Sequence, residues 1–84
     1  GNVYDDANQA PIGRVIATLF SYQFNNLVDT QITDSGGKYY FMAGDGKYYV
    51  TYEHKAYHPQ KTDIIDLAGK DPEVITVDVK LKKN

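Results

Sequence analysis

Apolar and polar residues alternate one for one through most of this chain, and turn-forming residues interrupt the pattern about every eight to twelve residues. Successive side chains of a strand point to opposite faces, so each alternating run specifies a strand with one buried and one wet face. No window carries the i, i+3, i+4, i+7 apolar spacing of an amphipathic helix. Seven strands are expected, over residues 3–5, 14–24, 27–33, 38–42, 47–54, 62–67 and 74–81. The breaks between them have local causes. Asn25-Asn26 suits a tight hairpin because Asn tolerates positive φ, and Gly44-Asp45-Gly46 is a strong hairpin signal. Asp34-Ser35-Gly36-Gly37 and Tyr57-His58-Pro59 end the strands before them. Short strands in this number favour a sandwich or a barrel, and a sandwich of two sheets lets each strand bury one face.

Such a chain must build its core without a disulfide, since its 84 residues include no Cys. A hydrophobic share of 42% with 13% aromatic residues suits a core and is too high for a disordered chain. There is no internal repeat, low-complexity tract or linker, so residues 1–84 read as a single domain. Nine basic against eleven acidic residues leave a net charge of −2, which argues against nucleic acid as a partner. The longest uncharged run, residues 15–28, contains Thr18, Ser21, Gln23, Asn25 and Asn26, so direct membrane insertion is not expected of it. No secretory leader pattern is present. The lack of Cys fits a reducing cytosol and a bacterial surface equally well.

Three groups of residues resemble a known family. Gly1-x-Val3-Tyr4-Asp5, followed by Pro11-Ile12 and Val15-x-Ala17-x-Leu19, resembles the opening of carboxypeptidase regulatory-like domains. Thr33-Asp34-x-x-Gly37-x-Tyr39-x-Phe41 is similar to their second signature, and Gly46-x-Tyr48-x-Val50-x-Tyr52 with Tyr57 to their third. The last strand matches in its alternation alone. The resemblance implies a seven-stranded Greek-key β-sandwich of the transthyretin-like (prealbumin-like), immunoglobulin-like kind. It also implies a non-catalytic accessory module of a larger secreted or cell-surface bacterial protein. Its partners would be neighbouring domains of the parent chain or another surface protein, and its place would be outside the cell. No catalytic residue or cofactor belongs to the pattern, so none carries over. The chain opens within the pattern's first strand and stops just past its last, so an excised piece of a multidomain protein is expected. Tyr39, Phe41, Tyr48, Val50 and Tyr52 are expected to supply much of the core.

The residues that could carry chemistry are few. His54 and His58 are four apart, but on an extended chain they would lie about 13 Å apart, and Lys55 disfavours a dication, so no metal site is expected. Asp5, Asp6, Asp34 and Asp45 sit in no D-x-D-x-D-G loop and read as caps of their own turns, with a structural calcium near Asp34 left open. Ser21 and Ser35 are the only serines, no G-x-S-x-G is present, and Ser35 lies in a tight turn, so nucleophilic catalysis is not expected. The Lys–Asn isopeptide that related adhesin domains form would need a Lys on the first strand, and no Lys precedes Lys38. No enzyme and no cofactor are expected.

One strand does not fit a simple core. If Val15, Ala17 and Leu19 point inward, as the resemblance implies, then Ile16, Phe20, Tyr22 and Phe24 point outward, with Tyr49 beside them on a neighbouring strand. Two readings stay open: a bulge after Leu19 turns these aromatics inward, or they form an outer contact surface. In the second case Phe20, Tyr22, Phe24 and Tyr49 are the contact residues, docking a neighbouring domain or protein, or alternatively stacking on a carbohydrate.

Overall fold

The computed structural model describes residues 1–84, and they form strands and no helix. Nine short strands follow one another: β1 (Val3–Asp5), β2 (Ile16–Ser21), β3 (Asn26–Ile32), β4 (Phe41–Ala43), β5 (Lys47–His54), β6 (Tyr57–Lys61), β7 (Ile65–Asp66), β8 (Glu73–Ile75) and β9 (Val79–Leu81). The largest sheet has the order β3-β2-β5-β6, with β7 joining β5 at its far end. Two smaller sheets pair β1 with β9 in parallel and β4 with β8 antiparallel.

The apolar alternation meets in one place. Ala17, Leu19, Val50 and Tyr52 project from the large sheet into a cluster with Val3, Tyr39, Phe41, Ala43, Ile75 and Leu81 from the segments opposite. One face of the large sheet is thus covered and the other is bare, an arrangement consistent with a β-sandwich. Four of the five expected core residues of the middle strands are buried; Tyr48 is half-buried and packs against the cluster's edge. Thr33 is buried with both hydrogen-bonding roles used, accepting from Val15 N–H at 2.9 Å and donating to the Ile12 carbonyl at 2.8 Å. The turn at Asp34 closes as its carboxylate accepts Gly36 and Lys38 N–H at 2.9 and 3.1 Å. Gly37 then adopts φ +71° with its Cα against the Val3 carbonyl, where a Cβ would come within 2.5 Å of the oxygen.

Several expected elements differ from those formed; the strand expected over 62–67, for one, pairs only at β7, Ile65–Asp66. The run over residues 14–24 stops as β2 at Ser21, whose hydroxyl accepts Phe24 N–H at 3.3 Å, so Tyr22, Gln23, Phe24 and Asn25 form the loop. Asn25 takes the positive φ (51°), whereas Asn26 already pairs as the first residue of β3. The break expected at Tyr57-His58-Pro59 is instead strand β6, because the chain reverses earlier, at Lys55-Ala56, and Tyr57 pairs back to His54. The run over residues 74–81 divides. β8 pairs with β4 and β9 with β1, while Val77 between them accepts the Tyr39 hydroxyl.

Candidate functional site

The bare face of the large sheet is built by register. β2 and β5 pair without a break, placing Ile16 opposite Glu53, Thr18 opposite Thr51 and Phe20 opposite Tyr49. Since Ala17 and Leu19 are buried beneath, all of these point outward. A bulge does lie at Leu19/Phe20, but it is in the β2–β3 pairing: Leu19 faces Asp29 and Phe20 faces Leu27, so the extra residue is Val28 on β3. β2 keeps its phase, and the aromatics stay outside. Of the two readings open from the sequence, the one in which a bulge turns them inward does not occur.

The four aromatic candidates are not equivalent. Phe20 and Tyr49 are half-buried and stack on each other, their ring centroids 5.2 Å apart and planes 15° from parallel. The Lys61 ammonium lies over the Tyr49 ring, 5.7 Å from its centroid. Strand order puts β2 and β6 on opposite sides of β5, so Phe20 and Lys61 cover opposite faces of Tyr49. Tyr49 therefore offers its edge and hydroxyl, not a flat platform. Tyr22 (55% exposed) and Phe24 (78% exposed) belong to the β2–β3 loop, which frees them from the sheet's packing. Tyr22 N–H donates to the Lys47 carbonyl at 2.8 Å and ties that loop to β5.

Tyr22 and Tyr49 also line an open groove of about 680 Å³, with Gln23, Asn25, Lys61, Thr62, Asp63 and Ile64. Phe24 stands apart from its lining. The β6 side of this groove was not legible in the sequence. Tyr57-His58-Pro59-Gln60-Lys61 lacks apolar alternation, and the one readable sign is the tight turn before it. Once β6 forms, Thr62 continues the pairing, its N–H donating to the Val50 carbonyl at 2.9 Å and its hydroxyl accepting Val50 N–H at 3.0 Å. The groove offers amides, hydroxyls, one ammonium and one carboxylate, which suits hydrogen bonding more than bond breaking.

The remaining candidates are engaged in turns and pairs. His54 Nδ1 accepts Ala56 N–H at 3.0 Å, and its ring meets Tyr57 edge-on at 5.2 Å. The extended separation expected between His54 and His58 does not arise, because they stand on the two strands of one hairpin. Asp5 accepts the Tyr57 hydroxyl and Ala7 N–H, each at 2.8 Å, and these bonds, the phenol's foremost, hold its carboxyl below the ordinary value. Asp45 accepts Gly69 N–H at 2.7 Å. No three His, Asp or Glu side chains converge closely enough to hold a metal ion. The chain matches no family model, no curated protein and no solved structure.

Proposed function

We propose that this chain is a non-catalytic accessory module, a Greek-key β-sandwich of the carboxypeptidase regulatory-like kind, in a larger secreted or cell-surface bacterial protein. It holds a neighbouring domain or another surface protein against the bare face of its large sheet. The observation that carries this reading is the apolar surface around the β2–β3 hairpin: Tyr22, Phe24, Leu27, Val28 and Ile32 are all exposed, beside the Phe20–Tyr49 pair. Contiguous apolar surface of this kind marks a contact region more often than bare surface. The engagement of Asp5, Asp34 and Asp45 with main-chain amides supports the non-catalytic part, since these carboxylates serve turns.

A second reading, carbohydrate binding, draws support from the groove's hydrogen-bonding side chains, with Tyr22 as its remaining stacking ring. Two variants test these readings. The chain has no Cys, so Phe24→Cys introduces a single thiol at the most exposed aromatic. In the isolated chain a maleimide should label it rapidly. In the parent protein, docking predicts labelling slowed by at least about tenfold, a protection worth about 1.4 kcal/mol. Equal labelling in both would remove the docking reading. A glycan array bound by the native chain and lost in Tyr22→Ser would put carbohydrate binding in its place.

A further inference from the structure

We infer that the open edge of β3 is an interface, and that its occupant is a second copy of this chain, paired antiparallel through Thr30. The argument begins with the ladder. Thr33 N–H donates to the Val15 carbonyl, which sets the alternation along β3: Gln31 and Asp29 bond back to β2, and Thr30 and Ile32 turn their main-chain groups to the outer edge. Nothing in the fold covers that edge, because β3 is the terminal strand of the sheet. The Thr30 N–H is met only by the carboxylate of its neighbour Asp29, at 2.8 Å. Edges left open are normally guarded by Lys, Pro, a short strand or a bulge. β3 is seven residues long and contains neither Lys nor Pro, and its bulge at Val28 lies towards one end.

The side chains then select the partner. A two-fold axis at Thr30 makes residue 30 face residue 30 of the second copy and 29 face 31, within the regular part of β3. On the outer face this sets the two Thr30 side chains together, with Ile32 (66% exposed) of each copy flanking them. On the other face each Asp29 meets a neutral Gln31. Moving the axis to Asp29 would set two carboxylates directly opposite each other, which is unfavourable. The strand is self-complementary in this register, and an isologous pair joins two large sheets into one continuous sheet. This interface takes Ile32 from the apolar surface proposed above for docking but leaves the Tyr22–Phe24 loop free.

The experiment is sedimentation equilibrium of the native chain from about 10 μM to about 1 mM, a range suited to an interface smaller than the standard size. A reversible monomer–dimer equilibrium is expected. Gln31→Glu keeps an acceptor for Tyr40 N–H, which Gln31 Oε1 now accepts at 3.3 Å, but opposes Asp29 of the other copy. It should weaken the dimer at least about tenfold. Gln31→Glu with Asp29→Lys should restore it, since each Lys then meets a Glu across the axis. Thr30→Pro, which removes the outward N–H, should abolish dimerisation; should that variant fail to fold, the charge pair still decides. A native chain that stays monomeric throughout would overturn the inference. So would a dimer indifferent to Gln31→Glu, or one dispersed by Tyr22→Ser/Phe24→Ser, which would locate association in the loop.

Discussion

Two phenols show how single groups are held in this small core. The Tyr39 hydroxyl has one proton and gives it to the Val77 carbonyl at 2.6 Å. The proton joining the two hydroxyls, 2.5 Å apart, is therefore that of Tyr52. Removing Tyr52's hydroxyl leaves the Tyr39 bond intact, and Tyr52→Phe should cost about 1 kcal/mol. Tyr39→Phe orphans a carbonyl and a hydroxyl together and should cost about 2–3 kcal/mol. Urea denaturation of both variants checks the order; equal losses would refute the donor assignment. Burial raises both phenols above their ordinary 10.0. The sign follows: this contribution is complete below about pH 10 and is lost as pH rises further, because the unfolded chain ionises first. Tyr52→Phe should lessen that alkaline loss. Asp5 behaves in the opposite sense. Held below its ordinary 3.8 by Tyr57, it adds stability above that pH and loses it as pH falls through its lowered midpoint. Tyr57→Phe should raise the Asp5 midpoint in a carbon-detected NMR titration, and an unmoved midpoint would deny the phenol its role.

Among the elements, the turn before β4 is the most constrained. Gly37 combines positive φ with close approach to the Val3 carbonyl. Gly37→Ala faces both obstacles and should lose about 2 kcal/mol or more, whereas Gly69→Ala, at φ +75° with open space around it, should lose less. Thermal melts of the two separate the steric part from the backbone part. Strand β4 shows the limit of reading alternation. Tyr39 and Phe41 lie on the buried side as expected, but only Phe41–Ala43 pairs as strand, because Tyr39 N–H goes to the Gly1 carbonyl and leaves the β8 ladder.

For the whole molecule, stability rests on a single cluster with few large members. Phe41 is 1% exposed within it, so Phe41→Ala should cost about 3–5 kcal/mol through lost burial and a cavity. Tyr48 packs only at the edge, so Tyr48→Ala should cost less. The outer pair is also partly structural. Phe20 and Tyr49 cover each other, and Phe20→Ser/Tyr49→Ser should lower stability by about 2 kcal/mol, beyond the ±0.5 kcal/mol usual for surface changes. Tyr22→Ser/Phe24→Ser, in an exposed loop, should stay within that range. Chemical denaturation of the two pairs tells a structural stack from a free contact loop.

The local pattern of this sequence was sufficient for its strand character, for the buried phase of Val50 and Tyr52, and for the turn at Asp34. These follow from side-chain period and turn chemistry, which act over a few residues. The hairpin expected at Gly44-Asp45-Gly46 does not form, since β4 pairs with β8 and β5 with β2, β6 and β7. Tertiary structure alone decided which strand lies beside which. Main-chain pairing is nearly blind to side-chain identity, so alternation marks an apolar face without naming what covers it. The division of residues 74–81 between β4 and β1 came about in that way, as did the placement of polar β6 against β5 and of Lys61 over Tyr49. The phase of β2 left the outward aromatic face as one of two readings, and the pairing with β5 chose it. That one of its rings is walled in on both sides, and that the bulge sits in β3, depended on neighbours far along the chain.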